Sequence, residues 1–217
     1  MELTQVTPIS MQTAQVTQVA EASFPTEFGE YRILGFEGRG FDRSDPSRIE
    51  EAVVLRMGNP DEGPAPLLRI HSQCLTGDVF HSLRCDCRAQ LEIAFREIGL
   101  AGRGLIIYEQ KEGRGIGLMN KLRAYELQDA GADTIEANEQ LGFESDLRDY
   151  ALPAAILRYL GVDSVRLLSN NPEKVQALED AGIQVAERVP CIAEPAATRA
   201  AYLKTKRERM GHLFEEV

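Results

Sequence analysis

Hydrophobic and polar positions alternate along this chain in two rhythms. Short apolar-rich runs bounded by turn residues predict strands over residues 31–36, 51–57, 66–71, 104–109, 164–169 and 183–189. Between them the period lengthens to that of a helix. After Cys87, the residues Leu91, Ala94, Phe95 and Ile98 fall at i, i+3, i+4 and i+7, one apolar stripe of an amphipathic helix. Further helices are predicted over 118–130 and 152–160. Asn171-Pro172 reads as an N-cap followed by proline at the first helical position, opening a helix that runs to Ala181. Residues 199–210 read as a last, mostly solvated helix. Strands alternating with helices predict an α/β fold, a layered α/β/α domain. No helix separates the early strands, so the sheet is predicted to be mixed.

Residues 1–24 are rich in Thr, Gln, Val and Ala, contain no Lys or Arg, and read as an N-terminal extension of low structural information. Residues 25–217 read as one domain without a long linker or an internal repeat. No apolar run approaches the ~18–20 residues of a membrane helix. The first basic residue is Arg32, so no cationic leader is expected and a reducing cytoplasm is the expected compartment. Cysteines there are more often metal-binding or catalytic than disulfide-bonded.

Charge narrows the partners. The net charge of −10 argues against nucleic-acid binding, which relies on Lys and Arg neutralising phosphates. A small anion held in a local basic pocket is compatible with it. Residues 111–123 (KEGRGIGLMNKLR) form such a place, with four basic residues against one acidic residue. A solvated helix face accounts for the same run.

The densest chemistry lies in residues 71–92, HSQCLTGDVFHSLRCDCRAQLE, which hold Cys74, Cys85 and Cys87. A disulfide between Cys85 and Cys87 is strained at that separation and suits the wrong compartment. Buried thiols are common, yet flanking Asp, Arg, Ser and His do not resemble a core strand. Zinc takes thiolates readily. Three protein ligands plus a water make a catalytic site, whose water ionises near neutral pH. His81 as a fourth ligand would instead close a structural site, and spacing leaves both zinc readings open.

Several segments in fixed order carry a wider resemblance: RIHSQCLTGD (69–78), SLRCDCRAQLE (82–92), KEGRGIGLMNKLRAYELQDAGADTIEANEQLGF (111–143), DLRDY (146–150), LLSNNPEKV (167–175) and MGHLF (210–214). Together they resemble GTP cyclohydrolase II over roughly residues 69–190. The resemblance implies a zinc-dependent opening of the guanine imidazole ring of GTP, the first committed step of riboflavin synthesis. C8 leaves as formate and the two outer phosphates as pyrophosphate, with Mg²⁺ escorting the triphosphate and a homodimer as the usual assembly. Some sixty-odd residues before the match are too few for a dihydroxybutanone phosphate synthase domain, so a monofunctional form is expected.

Carried over residue by residue, the resemblance makes Cys74, Cys85 and Cys87 the zinc ligands. It places Arg69, Ile70, His71, Ser72, Gln73, Gln90, Glu112, Gly113, Arg114, Thr134, Ser169 and Lys174 around the nucleotide. Asp146 fills the place of the proton acceptor, Arg148 that of a nucleophile towards the α-phosphate, and Tyr125 that of a hydroxyl facing the purine.

The chemistry of the side chains agrees in most of these places. Glu112 suits guanine, because a carboxylate accepts from both N1–H and the exocyclic amine. Lys174, in the first turn after the Asn171 cap, suits phosphate, and Arg114 and Arg148 offer fork geometry. A guanidinium stays protonated and is a poor nucleophile, so charge stabilisation is the easier role for Arg148. Three thiolates place about −3 on a +2 ion and weaken its Lewis acidity. Nearby cations are therefore expected to offset this, with Arg84 and Arg88 flanking the ligands. The chain departs from the family pattern at Gln73, usually glutamate, and at Ser169, usually threonine. A divergent homologue stopping at the formamidopyrimidine or using another base, and a zinc-stabilised binding module without turnover, are the competing readings.

Overall fold

The computed structural model describes residues 14–42, 45–143 and 149–193. Asp146, Arg148, the predicted helix over 199–210 and the MGHLF segment lie outside the described residues. Seven strands, β1 (Gln15–Thr26), β2 (Gly29–Arg39), β3 (Ile49–Met57), β4 (Leu67–Ser72), β5 (Gly104–Glu109), β6 (Ser164–Leu168) and β7 (Gln184–Val189), build one sheet in the order β1-β2-β3-β5-β4-β6-β7. Strands β1, β2, β3 and β5 pair antiparallel, while β5, β4, β6 and β7 pair parallel. The sheet is mixed, as the missing early helices predict.

Six α-helices, α1 (Leu75–Asp78), α2 (Cys87–Ala101), α3 (Leu118–Asp129), α4 (Thr134–Gln140), α5 (Ala151–Tyr159) and α6 (Pro172–Asp180), and a short 3-10 turn over Glu112–Gly115 complete the described residues. Side chains of a strand alternate between faces, and β5 separates the two cores. Leu105 and Ile107 pack with Leu34, Val54 and Leu68 against Leu152, Ile156 and Leu157 of α5 and Leu178 of α6. Ile106 packs on the other side with Tyr31, Leu55 and Met57 against Ala94 and Ile98 of α2. Helices therefore cover both faces, giving the α/β/α layering.

Two elements differ from the expectation. Strand β1 begins at Gln15, inside the stretch read as an extension, and pairs along its length with β2 from Gln15↔Arg39 to Thr26↔Gly29. It is an edge strand with no buried residue, held by ladder hydrogen bonds rather than by the apolar burial that makes a strand visible in sequence. Helix α4 has only seven residues, and its signal is a cap. Asp133 accepts from the backbone of Ile135 and Glu136, and Glu136 accepts from the Asp133 N–H, a complete capping box.

The topology also says where a ligand belongs. The chain leaves β4, crosses by α2 on one face to β5, then returns past β4 by α5 on the opposite face to β6. Crossovers in opposite directions lie on opposite faces because both are right-handed. Ligands of open α/β sheets bind outside the carboxyl ends of strands at such a reversal. Here those ends emit residues 73–86 after β4, 110–117 after β5 and 169–171 after β6. Among the described residues, no helix is long and apolar enough to cross a membrane.

Candidate active site

The three cysteines meet at the carboxyl end of β4. Cys74 precedes α1, Cys87 opens α2, and the turn between the helices brings in Cys85. Their sulfurs lie within 4.8 Å of one another, with Cys74 Sγ 3.6 Å from Cys85 Sγ. Zinc held tetrahedrally at about 2.3 Å would space its sulfurs at about 3.8 Å, so the trio fits one zinc ion. Gly77 makes the approach possible. A Cβ there would lie 2.9 Å from Cys85 Sγ, 3.1 Å from Cys74 Sγ and 3.3 Å from Cys87 Cβ. Neither further candidate closes the site: His81 Nε2 is bonded by Arg88 at 2.8 Å, and the Cys191 thiol donates to the Gln90 carbonyl.

The trio shares its protons unequally. Hydrogen bonds with Cys85 and Cys87 hold the Cys74 thiol far below its ordinary range, and Lys121 adds to this against the effect of burial. The hydrogen bond with Cys74, together with burial, pushes Cys85 up to about 11. Cys87 is raised further by hydrogen bonds with Cys74 and Cys85 and by burial. Hydrogen bonding and burial thus set Cys74 apart from Cys85 and Cys87, and a metal would displace whatever protons the three sulfurs carry.

The cation that touches the trio is neither of the two arginines expected to offset its charge. Lys121, on α3, donates to Cys74 Sγ at 3.1 Å and to Glu112 Oε1 at 2.6 Å. Arg84 instead pairs with Asp129 at 2.7 Å and lies 4.7 Å over the Tyr125 ring. Arg88 is spent on Glu92, His81 and the Asp78 carbonyl. Both arginines sit next to ligands in the chain, but their long side chains carry the charge elsewhere.

A buried carboxylate that sequence reasoning missed holds the zinc loop down. Asp78 accepts from the Cys74 N–H at 3.0 Å, from the Tyr108 hydroxyl at 2.9 Å and from His71 Nε2 at 3.1 Å. Burial lowers the His71 pKa despite this carboxylate partner. Its Nε2 therefore carries the proton donated to Asp78, leaving Nδ1 as an acceptor with no protein partner. Arg69 Nε and Ser72 Oγ are likewise buried without partners. Three orphaned polar atoms at the end of one strand point to a ligand, because leaving such groups unpaired is costly.

All the predicted substrate-binding residues except Ile70 line one cleft, together with the three cysteines and Tyr125. Ile70 is fully buried with its side chain in the core. Its carbonyl instead accepts from Lys174 Nζ at 2.8 Å. Position 70 alternates away from the cleft because its neighbours Arg69 and His71 face it. Arg69 is anchored by the Leu168 carbonyl and by Gln90, which in turn donates to Asp86. Gln73 lines the cleft, its N–H bonded to the Glu109 carbonyl.

Residues 112–117 form a tight turn leading into α3. Gly113, Arg114, Gly115 and Gly117 all have positive φ. For Arg114 (φ 62) this left-handed backbone is strained, a feature that clusters at functional sites. Glu112 is buried, and its carboxylate accepts from the Leu75 N–H at 2.6 Å, the Gly113 N–H at 3.1 Å and Lys121. It clamps this turn to the zinc loop. Tyr125 shares a hydrogen bond of 3.1 Å with Thr76 Oγ1, and burial raises its hydroxyl pKa. Thr134 lines the cleft from the first position of α4, and Ser169 from the loop after β6. Among the described residues, the lining holds six basic side chains, Arg69, Arg84, Lys111, Arg114, Lys121 and Lys174, against one acid, Glu112. In a chain of net charge −10, that concentrates positive potential where an anion would sit.

The family model described as GTP cyclohydrolase II matches residues 17–190. The chain belongs to the GTP cyclohydrolase II family. It is 51% identical over 199 residues to "GTP cyclohydrolase-2" of Actinobacillus succinogenes, covering 92% of this chain and 88% of that one. With the "GTP cyclohydrolase-2" of Pseudomonas syringae pv. tomato the identity is 52%, over 92% of this chain and 94% of the relative. The "Riboflavin biosynthesis protein RibBA" of Chlorobium phaeovibrioides is 48% identical over 92% of this chain, which spans 47% of that longer relative.

Proposed function

We propose that this chain is a zinc-dependent GTP cyclohydrolase II. It hydrolyses GTP, releasing formate from the imidazole ring and pyrophosphate from the triphosphate. The product is 2,5-diamino-6-hydroxy-4-(5-phosphoribosylamino)pyrimidine, and the reaction is the first step of riboflavin biosynthesis. The observation that carries this reading is the shared cleft. Three thiol donors spaced for one zinc open onto the same space as six basic side chains and three orphaned polar atoms.

Cys74, Cys85 and Cys87 would hold one zinc per subunit, which supplies an activated water at neutral pH. The remaining work falls to the chain's own groups. Arg69 Nε, His71 Nδ1 and Ser72 Oγ satisfy their hydrogen bonds on the nucleotide. Gln73 lies at the cleft wall beside the first ligand, and Gln90 orients Arg69. Arg114 and Lys174 set positive charge against the phosphates, with Mg²⁺ neutralising the rest of the triphosphate. A carboxylate offers about four acceptor sites, of which Glu112 has three occupied, leaving one for the guanine edge. The Tyr125 hydroxyl, joined through Thr76 to the zinc loop, moves a proton at the purine, while Ser169 and Thr134 also line the cleft. Asp146 is assigned as proton acceptor and Arg148 as stabiliser of the α-phosphate. Ile70 acts through its carbonyl, which positions Lys174. The chain works in the cytoplasm as a homodimer, and the exposed apolar side chains of Val79, Phe80 and Leu83 support the pairing of subunits.

Metal removal tests the assignment. Dialysis against a chelator is expected to abolish turnover of GTP, and one equivalent of zinc per chain is expected to restore it. Full activity in protein shown by elemental analysis to be free of zinc would contradict the reading.

A further inference from the structure

Lys121 occupies a position that local electrostatics disfavour. It sits at the close of the first turn of α3, near the positive end of the helix dipole. Its N–H donates to the Gly117 carbonyl, and its ammonium is turned inward to Cys74 Sγ and Glu112. Room for the side chain is made by Gly113, where a Cβ would come within 3.1 Å of Lys121 Cβ. The partners close a ring. Cys74 Sγ meets Lys121, Lys121 meets Glu112, and Glu112 accepts from the N–H of Leu75, the residue bonded to Cys74.

Charge counting gives this ring a purpose. Three thiolates around a divalent ion leave a net charge of about −1, and an uncompensated buried charge is strongly unfavourable. We propose that Lys121 is a positioning residue for the zinc centre: its ammonium neutralises the surplus charge of the three-cysteine site and withdraws electron density from Cys74. A site so neutralised would hold zinc more tightly and leave the ion more electron-poor than three free thiolates would. The inference rests on the zinc reading and deepens it. Glu112 holds the lysine in place, and Arg84, paired with Asp129 and stacked over Tyr125, serves the tyrosine instead.

The test uses metal binding rather than turnover. Lys121→Met keeps the length of the side chain and removes its charge, whereas Lys121→Arg keeps the charge. Zinc affinity is measured by competition with a chromogenic chelator, and the donor strength of the sulfurs by the absorption spectrum of the cobalt-substituted protein. For Lys121→Met, zinc affinity is expected to fall by about 10- to 100-fold, the usual consequence of losing a partner of a metal ligand. Its sulfur-to-cobalt charge-transfer band is expected to move to lower energy, while Lys121→Arg stays near the wild type in both measurements. Glu112→Gln, which leaves the lysine but loosens its anchor, is expected to shift both in the same direction by less, and serves if Lys121→Met does not fold. A folded Lys121→Met with wild-type affinity and an unmoved band overturns the proposal, as does an unchanged Glu112→Gln where only that variant folds. Failure of the wild-type chain to bind zinc or cobalt overturns the zinc reading itself.

Discussion

Cys85→Ser is expected to empty the metal site and to stop release of formate from GTP. Serine keeps the size of the side chain but offers a hydroxyl in place of a thiolate, the form that zinc binds. The substitution also removes the sulfur 3.6 Å from Cys74, so Cys74 loses a hydrogen-bond partner as well as the site losing a ligand. Lewis-acid and nucleophile functions of a metal contribute several kcal/mol, and each 1.36 kcal/mol is tenfold in rate. Turnover is therefore expected to fall by about 10³-fold or more. The fold is expected to survive, because Cys85 belongs to neither core cluster. Elemental analysis and a coupled formate assay on the same preparation check both halves. Undiminished formate release from zinc-free Cys85→Ser would contradict a catalytic zinc.

Gly77→Ala is expected to be nearly as damaging, though it touches no ligand atom chemically. The new methyl would need the space of two ligand sulfurs, lying 2.9 Å from Cys85 Sγ and 3.1 Å from Cys74 Sγ. Nothing distant and flexible is available to give way, since both atoms are needed in place for the metal. A misplacement of about 1 Å in a catalytic group costs about 10²-fold in rate, and zinc affinity is expected to fall by a similar factor. Backbone effects run the other way. Gly77 lies within α1, where alanine is the better helix former by about 1 kcal/mol. The melting temperature of the metal-free variant is thus expected to equal or slightly exceed that of the metal-free wild type, while zinc titration separates the two. Equal zinc affinity would show that the trio does not pack around Gly77 as described.

The contrast between these residues and the ones missed explains what a sequence can carry. Central strands were legible because burial on both faces leaves continuous apolar runs, as in GLIIYE of β5. The edge strand β1 left no such mark. The cysteine trio was legible because its members lie within fourteen residues. Lys121 was not, since its contact with Cys74 spans 47 positions and nothing local announces it. Arg84 and Arg88 show the converse error: adjacency to a ligand along the chain does not place a guanidinium beside its sulfur. Asp78 had one usable signal, an acid four residues after a metal-binding cysteine, in reach of that residue's N–H across one helical turn. Ile70 was carried along by its neighbours, although period-two alternation between Arg69 and His71 turns its side chain to the core. Glu112 lines the cleft, yet three protein donors already occupy its carboxylate, which only tertiary structure discloses.

Product analysis tests the whole reading most directly. Zinc-loaded protein is incubated with GTP and Mg²⁺, and formate and pyrophosphate are measured against GTP consumed. The expected result is formate and pyrophosphate in equal amounts, each matching the GTP lost, with the diaminopyrimidine as the remaining product. Pyrophosphate without formate, or no consumption of GTP by protein carrying its zinc, would contradict it.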